Sequence, residues 1–165
     1  MSAWLACAAL VAGCAGYQLG PTNGVQAGAR SVQVNFLQNK TLEPRLTEAV
    51  TSALRKTLQQ DGTYRLDTHG DGDIVVTGEI TRFDRAGISF QPTDVLTVRD
   101  YSLSMTARIK ATERATGKVL LESLVSGRTT IRAGSDLASA ERQAVPLIAD
   151  DLAKNATSLL VEGSW

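Results

Sequence analysis

Alternating apolar and polar residues predict four strands in this chain. Residues 31–37, 73–82, 101–111 and 119–131 place apolar side chains mostly at alternate positions, which is typical of strands with one buried face. Leu96 and Val98 lie in the opposite phase to the third run, so we expect a bulge near Arg99 and Asp100. Gly78 interrupts the apolar face of the second run, which indicates a bulge or a close backbone contact. Residues 84–94 are expected to form a loop, and residues 115–118 a tight hairpin turn.

Apolar residues at helical spacing predict two amphipathic helices. The first covers residues 44–58, with Pro44 suited to its first turn and Asp61-Gly62 suited to its end. The second ends near Val161, and Pro146 interrupts its pattern. Because an interior proline costs about 3 kcal/mol, we expect the second helix to kink or to restart there.

The order of these elements predicts an α+β fold. Three later strands form a meander with one polar face, and each helix has one apolar stripe. The economical arrangement is a two-layer α/β sandwich, with two helices packed on one face of a four-stranded, mostly antiparallel sheet. The loops at residues 84–99 and 132–142 should then be neighbours in space.

The amino terminus resembles the signal of a bacterial lipoprotein. Residues 1–13 are uncharged and mostly apolar, too few for a spanning helix of about 20 residues but suited to a signal core. Val11-Ala12-Gly13-Cys14 resembles a lipobox, which predicts cleavage before Cys14 and a lipid on its sulfur. Since no lysine or arginine precedes Arg30, we expect the true start to lie further upstream. The alternative is a buried terminal helix with two ordinary cysteines.

This interpretation divides the chain into a signal peptide (1–13), a glycine-rich tether (14–30) and a single domain (31–165). Cys7 would leave with the signal and Cys14 would be acylated, so the mature chain would hold no disulfide and no cysteine metal site. Ala15 behind the cysteine is compatible with an outer-membrane address.

Composition argues against nucleic acid as a partner. Lysine plus arginine and aspartate plus glutamate both number 17, and aromatic residues make up 5% of the chain. A balanced charge lacks the basic excess of nucleic-acid binders, and few aromatics leave little surface on which bases could stack.

Candidate catalytic and metal sites are sparse. His69, Asp71 and Asp73 could hold a cation, but glycine and aspartate in this segment are also typical of a turn. No nucleophile elbow, phosphate-binding loop or dinucleotide motif is present. We therefore expect no catalytic residues, no metal and no cofactor, and a periplasmic hydrolase using His69 is the least favoured function.

The positions of the arginines are more informative than their number. The predicted meander brings six arginines towards one rim of the sheet, where guanidinium groups suit a ligand that bears phosphate. The alternative is a set of surface arginines paired with Asp84, Asp94, Asp100, Asp136 and Glu141. The six are Arg82, Arg85, Arg99, Arg128, Arg132 and Arg142.

Behind Cys14, the sequence Gly16-Tyr17-Gln18-Leu19 and then the first strand at Ser31–Val34 resemble the LptE family of outer-membrane lipoproteins. The resemblance extends over the order of elements in the mature chain. It implies a two-layer sandwich and a non-enzymatic role in the translocon that places lipopolysaccharide in the outer leaflet. It also implies that the protein partners and plugs the β-barrel LptD and assists outer-membrane assembly.

Family members contact lipopolysaccharide through basic residues at one end. The nearest candidates here are Arg85, Arg99, Arg132 and Arg142, although residues 86–97 carry no basic residue of their own, unlike the family pattern. The alternative function is a small lipoprotein subunit of another secretion or assembly complex of the envelope.

Overall fold

The chain folds as an α+β domain with a mixed sheet and two helices. The computed structural model describes residues 27–92, 94–132 and 136–163; Cys14, the predicted signal and most of the predicted tether lie outside these ranges. The described elements are β1 (Ser31–Val34), β2 (Gln38–Asn39), α1 (Leu46–Asp61), β3 (Arg65–Asp67), β4 (Ile74–Gln91), β5 (Asp94–Glu113), β6 (Val119–Arg132) and α2 (Leu137–Glu162).

The sheet has six strands among the described residues, so the prediction of four mostly antiparallel strands is wrong in number and in kind. The order is β3–β1–β4–β5–β6, and β2 pairs with β4. β1 runs parallel to β3, because α1 carries the chain back to the end at which β1 started. It also runs parallel to β4, which follows β3 after residues 68–73. Strand periodicity could not reveal β2 and β3, which have only two and three residues.

The first predicted strand is shorter than expected. β1 ends at Val34, Phe36 is 67% exposed, and Leu37 is buried instead. The alternation therefore changes phase between Val34 and Leu37, and the chain then continues along β4 as β2.

β4 and β5 form a long hairpin across the region predicted as a loop. Residues 84–91 continue β4 and pair with β5, so the predicted loop at 84–94 is wrong. The expected irregularity near Arg99 is confirmed: Ser89 pairs with Asp100 and Phe90 with Val98, which leaves Arg99 without an opposite residue. The close contact at Gly78 is also confirmed, since a Cβ there would lie 2.6 Å from the carbonyl oxygen of Arg108.

The two helices differ slightly from their predicted ends. α1 begins at Leu46 after Arg45, whose φ of 67° is left-handed, so Pro44 lies just before the helix and not in its first turn. Gly62 ends α1 in the left-handed conformation, as expected. α2 continues through Pro146, so of the two expected alternatives the restart is wrong and the kink stays a prediction.

Both helices cover the same face of the sheet. The buried side chains of β4, β5 and β6, including Ile80, Leu103 and Val125, form one core with the apolar stripes of α1 and α2. α2 lies directly on β6 at Gly127, where a Cβ would be 2.5 Å from the carbonyl oxygen of Ile148. The opposite face of the sheet, here called the outer face, is covered by no other described element. None of the described helices is long and apolar enough to span a bilayer.

Candidate functional site

Asp100 joins two of the predicted arginines at the far end of the sheet. The pairing register places Asp100 between Ser89 on β4 and Arg132 on β6. Its carboxylate oxygens lie 2.8 Å from Nε of Arg99 and 3.2 Å from Nε of Arg132, and it also accepts a hydrogen bond from the Ser89 hydroxyl. The Ser89 hydroxyl and the two guanidinium groups lower the pKa of Asp100 to about 2.

The Asp100 group therefore combines one carboxylate with two arginines that remain accessible. The side chains of Arg99 and Arg132 are 46% and 75% exposed, whereas Asp100 is only 15% exposed. Each guanidinium has five N–H donors, and a single carboxylate leaves most of them free. This arrangement can bind an anion such as a phosphate through the donors that face solvent.

Arg85 lies on the other face of the sheet. It pairs with Leu103, whose side chain is fully buried beneath the helices. The guanidinium of Arg85 forms an ion pair with Glu141 of α2 and lies 5.5 Å from the ring centroid of Tyr101. Arg85 thus links the hairpin to α2, which confirms that the segments around residues 85 and 141 are neighbours.

Arg142 has different surroundings again. It lies on α2, one turn after Ser139, and donates a 2.6 Å hydrogen bond to the Ser139 hydroxyl, while the Asp136 carboxylate caps the start of the helix. Hydrogen bonds from Ser139 lower the pKa of Asp136. Arg142 also lines a cleft of about 600 Å³ between α1 and α2.

The structure therefore brings Arg99 and Arg132 together but places Arg85 and Arg142 elsewhere. Of the other two predicted arginines, Arg82 lies 3.7 Å from Asp84. The backbone N–H of Arg128 donates to Asp151, and no ion pair of its side chain occurs among the described residues. The alternative of acid-paired surface arginines is confirmed for Arg82, Arg85, Arg99 and Arg132. Contact of any of the six with lipopolysaccharide stays a prediction.

The cleft between the helices was not predicted. One wall is formed by Pro44 and Arg45, just before α1, and by Ala49 of α1, and the other by Val145 and Pro146 of α2. The remaining lining residues are Glu43, Glu48, Ser52 and Arg142. Helical periodicity reports the buried face of each helix but not how two helices pack against each other, so the sequence could not reveal this cleft.

The turn around His69 is held by backbone interactions. Asp67 accepts the N–H groups of Gly70 and Asp71. Desolvation raises the pKa of Asp67, but hydrogen bonds from the backbone of residues 69–71 outweigh it and lower the pKa overall. Nδ1 of His69 lies 3.9 Å from a carboxylate oxygen of Asp67. Asp73 accepts both the backbone N–H and the hydroxyl of Ser31, each at 2.7 Å. In the described parts of the chain, no three histidine, cysteine or acidic residues are grouped as metal ligands.

Solved structures share this fold at low sequence identity. The hypothetical protein CT253 from Chlamydia trachomatis has a TM-score of 0.59 and 11% identity, with 84% of this chain and 98% of that chain covered. Protein XCC0632 from Xanthomonas campestris has a TM-score of 0.62 and 9% identity, covering 88% and 91%. A minor lipoprotein from Acinetobacter baumannii has a TM-score of 0.50 and 12% identity, covering 81% and 93%. The comparison with curated proteins gives no match.

One family model matches nearly the whole of the domain. It is the model of LptE, described as lipopolysaccharide-assembly, and the match covers residues 29–161. The matched residues run from just before β1 to the last turn of α2 and include Arg85, Arg99, Arg132 and Arg142. The chain therefore belongs to the LptE family of lipopolysaccharide-assembly proteins.

Proposed function

We propose that this protein is an outer-membrane lipoprotein, anchored through Cys14, that serves as a non-enzymatic subunit of the lipopolysaccharide translocon. In this role it partners and plugs an LptD-type β-barrel and assists lipopolysaccharide insertion and outer-membrane assembly. The observation that carries the proposal is the match of the LptE family model to residues 29–161.

The outer face of the sheet has the character that a polar barrel lumen requires. Facing positions on β4, β5 and β6 carry hydroxyl and charged side chains, and Glu79 pairs with Arg108 in register as Lys110 pairs with Glu122. None of these four charged groups forms an ion pair among the described residues, so each is free to bond with a partner. The interior of a large outer-membrane barrel is polar, and such a wall could satisfy these groups.

One structural neighbour, the minor lipoprotein from A. baumannii, is itself named as a lipoprotein, which supports the proposed lipid anchor. Acylation of Cys14 predicts that the chain purified from membranes carries fatty acyl chains on that residue. Mass spectrometry of the amino-terminal peptide would detect them, and a Cys14→Ser variant should lack them. An unmodified Cys14 in the membrane-extracted chain would contradict this part of the proposal.

For lipopolysaccharide binding, the Asp100 group is the strongest of the predicted positions. Replacing Arg99 and Arg132 with serine removes both accessible guanidinium groups while leaving the core untouched. We expect binding to lipopolysaccharide to weaken by about tenfold or more, since charge-assisted hydrogen bonds contribute about 1.5–3 kcal/mol each. A matched control replaces the exposed arginines Arg45 and Arg65, which removes the same charge elsewhere. Equal affinity of the two double variants would rule out the Asp100 group as the contact.

The alternative function is a small subunit of a different secretion or assembly complex of the envelope. The structural neighbours share the fold at low sequence identity, and a shared fold does not by itself distinguish between the two functions. Purification from outer membranes under conditions that preserve barrels separates the two. Recovery of a large β-barrel supports the proposal, and recovery of another envelope complex supports the alternative.

A further inference from the structure

The tip of the β4–β5 hairpin extends beyond the part of the sheet that the helices cover. The last fully buried side chains on this hairpin are Ile80 and Leu103. β6 ends opposite Asp100, so the residues beyond Ser89 and Asp100 form a two-stranded ribbon. A two-stranded hairpin alone is marginally stable in water, so packing against another surface would stabilise this ribbon.

This tip exposes large apolar side chains. Ile88 is 53% exposed, Phe90 is 51% exposed and Leu96 is 88% exposed. The segment from Ala86 to Val98 has a single charged residue, Asp94. Its carboxylate accepts hydrogen bonds from the Leu96 backbone N–H, at 3.0 Å, and from the Thr97 hydroxyl. These hydrogen bonds hold the carboxylate in place but do not neutralise it, so the exposed tip carries one negative charge.

Arginines lie at the base of the same ribbon. Arg99 and Arg132 share Asp100 and keep most of their donors accessible, so this group carries a net positive charge. Leu96 is four residues from Asp100 along β5, a distance of about 13 Å for an extended strand. Segments that bind at the membrane interface place their apolar groups about 5–10 Å into the boundary between headgroups and acyl chains. Exposed apolar groups at the tip and cations behind them match that layering.

We propose that the hairpin tip inserts into the surface of a phospholipid bilayer, with Phe90 and Leu96 among the acyl chains and Arg99 and Arg132 at the level of the phosphates. The exposed apolar side chains of the tip and the charge complementarity between the two arginines and lipid phosphates favour a bilayer over a protein groove as the occupant. This contact belongs to the folded domain itself and is additional to any lipid on Cys14. It concerns the domain outside its seat in a barrel and does not rest on the proposed function.

The test uses tryptophan as a local probe in the full chain. Phe90→Trp and Leu96→Trp each place an indole at the tip, and Leu124→Trp places one on the outer face of β6, where Leu124 is 61% exposed. Each protein is reconstituted with vesicles of phosphatidylethanolamine and phosphatidylglycerol whose acyl chains are brominated. The fluorescence of the introduced tryptophan is obtained by subtracting the emission of the parent protein. Far-UV circular dichroism verifies that each variant is folded.

The bilayer contact predicts that emission from Trp at positions 90 and 96 shifts to the blue and falls to about half or less in brominated vesicles. Emission from Trp at position 124 should remain that of an exposed indole. Unquenched, water-exposed emission at both tip positions would overturn the proposal. So would quenching that is equal at all three positions, which would reflect the anchor alone, or a blue shift that appears only when pure lipopolysaccharide replaces the phospholipid vesicles.

Discussion

Gly127 provides a quantitative test of how α2 packs on the sheet. A Cβ at this position would lie 2.5 Å from the carbonyl oxygen of Ile148 and 2.6 Å from the backbone nitrogen of Leu152. Both atoms belong to the helix backbone, so Gly127→Ala can be accommodated only if α2 moves away from β6. Overpacking of this kind typically costs about 1–3 kcal/mol.

The shift of α2 would also strain two hydrogen bonds that join it to β6. Asp151 accepts from the backbone N–H of Arg128, and the Asn155 amide donates to the carbonyl oxygen of Ser126, both at 2.8 Å. Each such bond contributes about 0.5–1.5 kcal/mol. We therefore expect Gly127→Ala to lower the free energy of unfolding by about 2–4 kcal/mol. For a domain of this size, that corresponds to a fall in Tm of roughly 5–15 °C.

Urea unfolding followed by far-UV circular dichroism measures this effect. The matched control is Thr130→Ala, an exposed position on the outer face of the same strand, where a change within about 0.5 kcal/mol is expected. A Gly127→Ala protein as stable as the Thr130→Ala protein would refute the close contact of α2 with β6.

Two further predictions concern pH and helix continuity. The depressed pKa of Asp100, about 2 against about 3.9 in an unfolded chain, contributes stability that is present above pH 4 and is lost as the pH falls towards 2. The urea midpoint of the parent protein should therefore decline between pH 5 and pH 2.5, and that of Asp100→Asn should decline less steeply. An equal decline in the two proteins would contradict a lowered pKa at Asp100. Pro146→Ala restores an N–H donor inside α2 and should raise the free energy of unfolding by about 1–3 kcal/mol, so a lower urea midpoint for this variant would count against an unbroken helix.

Much of the domain could be predicted from the sequence because its core strands and helices are long and regular. The unbroken alternation of residues 101–111 identified β5, and the phase change before it located the irregularity at Arg99. β3 could not be identified in this way, because its three residues form a strand only by pairing with β1. The extension of β4 through residues 84–91 was missed because Gly87 and Pro92 resemble loop residues, while cross-strand pairing with β5 outweighs that preference.

For the candidate site, the sequence predicted which segments are neighbours but not which face of the sheet each arginine occupies. Chain order was enough to predict that the segments around Arg85 and Glu141 are neighbours. It could not predict which side of the sheet each arginine takes, because the register shift between Ile80 and Arg82 moves the later residues of β4 to opposite faces. Arg85 consequently faces α2, whereas Arg132 shares Asp100 with Arg99.

The proposed partnership with a β-barrel is tested most directly by crosslinking in intact envelopes. A photoreactive amino acid in place of Leu124, which is 61% exposed on the outer face of β6, would report the neighbour of that face. The account predicts a single major adduct with a large outer-membrane β-barrel of the LptD type, identified by mass spectrometry. Adducts with a different envelope complex, or no adduct with any barrel while the chain is present in the membrane, would contradict it.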